Sequence, residues 1–235
     1  MKRLLTTAFC AGLLAFPAGG SAKVRELGAE PAGAQVGCPA DCQAVTRTTG
    51  YQTRSGSLKN PYYIRRPGTI VAWTITLGEP TGEQISYFQD IAPGSLGLGP
   101  PSARISVLRK GTEKKNRLMH RLVATGPVQR LERYYGSSPS FALEEPLRVE
   151  RGNIVALTVP TWAPAFAVGL GRDFSWFSSR HKTEREDENG TRCGDVSQDA
   201  AQETLKSVRR YECRYRTARL LYSVTFVPDP RPTDD

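Results

Sequence analysis

The clearest pattern of apolar and polar positions in this chain is a run of mostly β-branched residues from Thr69 to Leu77. Pro67 and Gly68 precede the run and Gly78 follows it, and residues of these types commonly bound a strand. Alternate side chains of a strand point to opposite faces. One face would carry Ile70, Ala72, Thr74 and Thr76, and the other would carry Val71, Trp73, Ile75 and Leu77. The second set is larger and more apolar, so the pattern predicts a central strand that buries this set in the core.

Similar short runs recur along the chain, with turn-forming residues between them. Strands are predicted at 44–54, 103–108, 117–125, 128–135, 141–149, 154–159, 166–170, 174–178, 208–215 and 218–227, with a strand-like run at 85–88. Only residues 198–207 have the composition of a short helix. Many short strands with scarcely any helix predict an all-β fold, a single antiparallel β-sandwich that is jelly-roll-like.

The N-terminal 22 residues have the three parts of a signal peptide. Lys2 and Arg3 are basic, an apolar stretch follows, and the small residues up to Ala22 offer a cleavage site. The apolar stretch is too short to span a membrane. We therefore expect a secreted protein, extracellular or in the cell envelope, with no transmembrane segment after cleavage. A flexible lead-in at 23–37, the sandwich domain at 38–228 and a disordered tail at 229–235 complete the predicted organisation.

Charge narrows the class of partner. The formal net charge is +9, and loss of Lys2 and Arg3 with the signal leaves 30 basic residues against 23 acidic ones, a net charge of +7. A positive surface attracts anionic partners, which indicates an extracellular glycan or an anionic envelope polymer. The basic residues are scattered, with no motif for specific nucleic-acid recognition. A soluble charged surface without a dedicated anion site is the alternative. The stretch 110–116 is predicted to be a charged hairpin tip.

Four cysteines remain after the signal, namely Cys38, Cys42, Cys193 and Cys213. An even number of cysteines in an exported chain indicates disulfide bonds. Three pairings are possible, and we favour Cys38–Cys42 with Cys193–Cys213 because each would close a local loop. A zinc site is disfavoured because the second pair is too widely separated and the histidines lie elsewhere.

The sequence shows no recognisable set of catalytic residues, and no catalytic residue is assigned. His120 lies within a strand pattern and is interpreted as structural, while His181 opens a charged loop. A glycosidase needs two facing carboxylates, and the nearest candidates are Glu144, Glu145 and Glu150. Side chains of this kind occur in any sandwich of this size.

No metal ligand and no cofactor is predicted. The loop at 184–190 offers several carboxylate and amide oxygens, but their order does not match an EF-hand loop, and Arg185 lies among them. A solvated charged loop is favoured, and calcium binding by this loop stays open.

Aromatic residues near predicted loops and strand ends are the candidate ligand-binding residues. They are Trp162, Trp176, Tyr134 and Tyr135. Exposed aromatic rings can stack on sugars, although most aromatic side chains are buried. Trp73, by contrast, is assigned to the core.

Two segments resemble a group of uncharacterised secreted β-sandwich proteins of actinobacterial type. Residues 67–73, with a turn, a β-branched run and Trp73, are similar to one strand of these proteins. Residues 146–157 are similar to their hairpin with a Val-x-x-Gly-Asp-x-Ile-Gly-Leu pattern, and residues 218–224 stand where they have their last strand. The resemblance implies a jelly-roll-like sandwich and no characterised activity.

Together these features predict a secreted, non-catalytic binding or cell-envelope-associated module, with a glycan as the partner. A secreted hydrolase of glycosidase type and a purely structural envelope protein are the alternatives.

Overall fold

The computed structural model describes residues 23–29, 44–91, 97–183, 193 and 198–230. This part of the chain is all-β, which confirms the predicted fold class. The strands are β1 Arg25–Leu27, β2 Val45–Ser55, β3 Leu58–Lys59, β4 Gly68–Ile75, β5 Ser102–Lys110, β6 Met119–Thr125, β7 Gln129–Arg130, β8 Ser140–Val149, β9 Asn153–Ala163, β10 Phe166–Ala167, β11 Ser175–Ser178, β12 Val208–Arg210, β13 Cys213–Arg216, β14 Arg219–Leu220 and β15 Tyr222–Pro228. The helical segments are α1 Gly82–Ser86, a π-helical turn Tyr87–Ile91, and two 3-10 turns, Lys114–Asn116 and Glu132–Tyr134.

Two main sheets face each other. The smaller has the strand order β1-β15-β4-β8, and the larger has the order β12-β6-β5-β9-β2-β11-β13, with β3 added beside β2 and β7 beside β5. All ladders within these sheets are antiparallel. No helix among the described residues is long and apolar enough to cross a membrane.

The main core lies between the two sheets. Trp73 of β4 is fully buried and packs in one cluster with Ile105 of β5 and Leu157 of β9. The ring of Trp73 lies 4.9 Å from that of Phe141, centroid to centroid. This arrangement confirms the sequence-based assignment of Trp73 to the core, because a large apolar ring gains most when it is removed from water.

One detail of the central strand differs from the prediction. Ile70 is fully buried, whereas Val71 is only half-buried. A β-bulge explains the change, because the register of β4 shifts between Ile70 and Ala72 in its pairing with β8. A bulge inserts one extra residue and reverses which side chains face the core from that point on. Trp73, Ile75 and Leu77 therefore keep their predicted face, and Ile70 joins them.

The larger sheet is strongly curled. β12 and β13 stand at opposite ends of its strand order, yet only Tyr211 and Glu212 separate them in the chain. Three Cα–Cα steps connect Arg210 to Cys213, so the two ends of the sheet approach to within about 11 Å. A second apolar cluster, in which Tyr211 takes part, lies on the sheet face opposite the main core.

The segment 198–207 covers this second cluster, and the short helix predicted there is absent. Several of its backbone groups bond to the sheet, and the bond from the amide of Ser207 to the carbonyl of Thr204 forms only a turn. The amide of Ala200 donates to the carbonyl of Arg47 at 2.9 Å, and the amide of Gln202 donates to Thr49 Oγ1 at 2.9 Å. Ala200 and Gln202 are each 1% exposed. Tertiary hydrogen bonds have replaced the local helical ones that the composition favoured.

The expected bridge Cys193–Cys213 is present, with the two Cα atoms 5.4 Å apart. The bridge joins Cys193, which precedes the segment 198–207 in the chain, to β13, and both cysteines are buried. Cys38 and Cys42 lie outside the described residues, as do the predicted signal peptide and the loop 184–190.

Several other segments differ from their predictions. The predicted strand 208–215 is divided into β12 and β13, the predicted strand 218–227 is divided into β14 and β15, and only 166–167 of 166–170 is a strand. Residues 85–88, predicted to be strand-like, are helical, because Thr81 begins α1 with a capping box that it shares with Gln84. Residues 25–27 of the predicted lead-in form β1, which pairs with β15. Within 128–135 only the short β7 is extended. At the other end, Asp229 accepts two hydrogen bonds from Arg148, at 2.7 and 2.6 Å, and these bonds lower the pKa of its carboxyl.

Gly50 of β2 allows Trp176 to pack against the larger sheet. A Cβ at position 50 would lie 2.5 Å from the ring of Trp176 and 3.0 Å from Leu220. We expect Gly50→Ala to lower the free energy of unfolding by about 1–3 kcal/mol, because both neighbours would have to move in a packed core. Urea denaturation measures the change.

Gly82→Ala is the matched control, since a Cβ at position 82 would meet nothing within 4 Å. This control should leave the stability unchanged or slightly higher. Equal stability of Gly50→Ala and wild type would contradict the packing described for Trp176.

Candidate functional site

The four aromatic residues predicted to bind a ligand do not form one exposed surface. Trp162 is fully buried, donates from Nε1 to the carbonyl of Gly99 at 2.9 Å, and stacks on Phe88 with the ring centroids 4.9 Å apart. Tyr135 lies at the side of this pair, 6.1 Å from Trp162. The segment that contains Phe88 covers Trp162, and residues so distant in the sequence could not be placed together from local pattern.

The other two rings lie in the main core. Trp176 is 3% exposed and stacks on Tyr215 at 4.3 Å. Tyr134 is half-buried and meets Phe141 edge-on at 5.4 Å. Neither Trp162 nor Trp176 has a free ring face, so an aromatic platform built on these tryptophans is not formed.

The histidines are also far from a catalytic arrangement. His120 is fully buried, whereas His181 is exposed with its Nδ1 3.8 Å from a carboxylate oxygen of Glu212. Glu144 and Glu145 are exposed on β8, and Glu150 lies 3.5 Å from Arg148 in an ion pair. Among the described residues no group of three or more His, Cys, Asp or Glu side chains could hold a metal ion.

His120 anchors β6 within the curl of the larger sheet. Its Nδ1 is 2.9 Å from the carbonyl oxygen of Leu118, and its Nε2 is 3.0 Å from the hydroxyl of Tyr51. Burial lowers the pKa of His120 to about 4, so the ring is neutral at pH 7. A carbonyl can only accept, so Nδ1 carries the proton and Nε2 accepts from Tyr51.

Polar groups of the cover segment complete the same network. Tyr211 donates its hydroxyl to Gln202 Oε1 at 2.8 Å, and Gln202 Nε2 donates to the carbonyls of His120 and Ser207. Burial raises the pKa values of the Tyr51 and Tyr211 hydroxyls, so both phenols stay protonated. The network is sealed and largely satisfied, and it holds the base of the adjoining hairpin in place.

That hairpin carries a group of exposed cations. Residues 109–121, which we call the basic hairpin, run from the end of β5 through the 3-10 turn into β6. Gly111 donates its amide to the carbonyl of Met119 at 2.9 Å and closes the tip. A Cβ at Gly111 would lie 2.4 Å from the carbonyl oxygen of Asn116, so this close approach requires glycine.

The basic hairpin carries six cationic side chains and a single acidic one, Glu113. The cations are Arg109, Lys110, Lys114, Lys115, Arg117 and Arg121, and all are exposed. Lys115 lies 3.3 Å from Glu113, an exposed pair that contributes little. The other five cations form no ion pair with any described residue.

The register places like charges side by side at the base of the hairpin. Arg109 lies directly opposite Arg121, and Lys110 lies opposite His120. Directly opposed side chains have Cβ atoms about 5 Å apart, and like charges in such a pair are destabilising. A bound anion would relieve this repulsion, so the pair is suited to binding an anionic ligand.

The surface around the tip is open. A depression of about 610 Å³ is lined by Glu113, Lys114, Lys115 and Arg117. Sites for small molecules are commonly enclosed and mostly apolar. An open, charged depression is better suited to part of a larger anionic molecule.

The sequence predicts the hairpin and its charge, but no sequence motif assigns a role to it. The signal was available, because six of the thirteen residues from Arg109 to Arg121 are cationic. The sequence alone could not show that Arg109 lies opposite Arg121, because this pairing depends on the register set by a bulge between Val107 and Leu108.

Comparison of the chain with models of protein families, with curated proteins and with solved structures finds no match. The resemblance to secreted β-sandwich proteins of actinobacterial type therefore stays a prediction, and the function has to be inferred from the residues themselves.

Proposed function

We propose that this protein is a non-catalytic binding module of the extracellular space or cell envelope, and that it binds an anionic polysaccharide through the basic hairpin. The observation that carries the proposal is the set of five exposed cations without an ion partner in the described chain, two of them directly opposed. A concentration of one charge sign raises the local concentration of a ligand of the opposite sign.

The side chains that lie among the cations of the hairpin indicate which type of polyanion it binds. Proteins that bind single-stranded nucleic acid usually add aromatic rings on which bases stack. The basic hairpin has no Phe, Tyr or Trp, and its histidine is buried and neutral. Arginine forks bind carboxylates and phosphates alike, and of these two groups we propose a polysaccharide whose charges are carboxylates.

Charge removal in the basic hairpin tests this function. In the variant Arg109→Gln/Lys114→Gln/Arg117→Gln/Arg121→Gln, we expect affinity for polygalacturonate to fall by at least about tenfold at low salt, because four ionic contacts are lost. The dependence of the binding constant on salt should also become less steep. Titration calorimetry of the chain lacking residues 1–22, over a series of salt concentrations, gives both quantities.

A second variant with the same change in charge serves as the control. Lys23, Arg25, Arg130 and Arg133 are exposed and lie away from the basic hairpin: the first two in or next to β1, the others beyond the opposite end of β5. Their replacement by Gln should weaken binding far less. Equal weakening by both variants would show a net-charge effect and overturn the site. Failure of the wild type to bind polygalacturonate, or tighter binding of duplex DNA, would overturn the proposed function.

A further inference from the structure

A second line of cations crosses the same sheet near its other end. Arg54 of β2 lies opposite Lys59 of β3 and opposite Ser175 of β11, and Ser175 in turn lies opposite Arg216 of β13. We call Lys59, Arg54 and Arg216 the cross-strand row. Neighbouring strands are about 4.8 Å apart, so the row spans about 14 Å across four strands.

The cross-strand row is open and unpaired in the described chain. All three cations are exposed, and none forms an ion pair with a described residue. Arg214 lies two residues before Arg216, on the same face of the strand. It donates to Ser175 Oγ at 3.1 Å, and its guanidinium carbon is 6.0 Å from the centroid of the Phe177 ring.

The curl of the sheet brings this row towards the basic hairpin. β12 pairs with β6, the second strand of the hairpin, and places Arg209 opposite His120. Only two residues, Tyr211 and Glu212, separate β13 from β12. The acidic residue in this connection, Glu212, is held by Arg210 with an N–O distance of 2.7 Å. The cations of the hairpin, of β12 and of β13 therefore lie on neighbouring segments around the curl of the sheet. Lys110 and the cross-strand row lie on the face that bears the second cluster, and Arg109 and Arg121 lie on the other face.

We infer that the ligand is a long polysaccharide chain that contacts the basic hairpin and the cross-strand row at the same time. This inference rests on the proposed function. Two weak ionic sites on one rigid sheet act as a bivalent receptor for a polymer, because the second contact forms at high effective concentration once the first is made. A short oligosaccharide reaches only one site and gains nothing from the other.

Chain length is therefore the variable that tests the inference. We expect affinity for oligogalacturonates to rise by about 100-fold or more from the trisaccharide to the full polymer. A row variant, Arg54→Gln/Lys59→Gln/Arg216→Gln, should remove most of this rise. The row variant should still bind the trisaccharide through its intact hairpin, with an affinity within about twofold of the wild-type affinity.

Two outcomes separate this inference from the proposed function. If the row variant binds the polymer as wild type does while the hairpin variant does not, the hairpin alone is the site and the inference is overturned. If wild type binds neither the trisaccharide nor the polymer, the proposed function itself fails. Thermal melting checks that the row variant is folded; its melting temperature should be unchanged or slightly higher, because the opposed pair Arg54 and Lys59 repel each other.

Discussion

A Cys193→Ser/Cys213→Ser double variant is expected to lose about 3 kcal/mol of unfolding free energy, because the bridge closes a loop with a sequence separation of 20. Structure should be lost first in the loop that the bridge closes. The loop contains the segment 198–207, β12 and Tyr211. Gln202 covers the second cluster, and Tyr211 is part of it. Hydrogen exchange should show lower protection in β12, while the amides of β4 around Trp73 keep theirs.

The structure changes what this variant is expected to disturb. From its composition the segment between the cysteines lacks a core face, but Tyr211 is fully buried and Ala200 is 1% exposed. We therefore expect the main core to survive and the second cluster to loosen. A double variant that melts like the wild type would contradict the role of the bridge, and a peptide map linking Cys193 to Cys38 or Cys42 would contradict the pairing.

Acid is expected to destabilise the protein through His120. Burial lowers its folded pKa to about 4, below the value of 6.5 for the unfolded chain. The unfolded state thus binds more protons between these values, so stability falls as the pH falls. The contribution lost is about 2 kcal/mol between pH 7.5 and pH 5, and about 3 kcal/mol by pH 4.

The surroundings of His120 offer no compensating anion in the described chain. Lys110 and Arg209 lie opposite it on the two neighbouring strands, and the hydroxyls of Tyr51 and Tyr211 beside it are neutral. A protonated imidazole would also lose its bond from the Tyr51 hydroxyl as an acceptor. Of the described contacts, only the hydrogen bond to the carbonyl of Leu118 favours the charged ring, and the effect of burial outweighs it.

His120→Gln should remove this part of the pH dependence, because an amide does not titrate. Urea denaturation at pH 7.5 and pH 5 measures the slope for wild type and variant. His181→Gln is the control, since His181 is exposed and its replacement should leave the wild-type slope in place. A wild-type slope that persists in His120→Gln would assign the acid sensitivity to other groups.

Local sequence patterns were enough to predict the class of fold and several of its parts. Period-two alternation is a local property, and it located β4 with Trp73 in the core and β5 and β6 close to their observed bounds. It located the start of β9, which extends to Ala163, beyond the predicted end at 159. The even number of cysteines and the short separation of Cys193 and Cys213 predicted a bridge that is present. The cations of the basic hairpin were visible for the same reason, because they are neighbours in the chain.

Which surfaces are free and which charges meet follows from the packing of segments that are distant in the chain. The bulge at Val71 placed Ile70 in the core, and the segment containing Phe88 buried Trp162, although no local pattern indicates either event. The cross-strand row joins strands that are up to 162 positions apart, from Arg54 to Arg216. Such alignments depend on strand order and register, which arise from packing between distant segments and not from the preferences of any one of them.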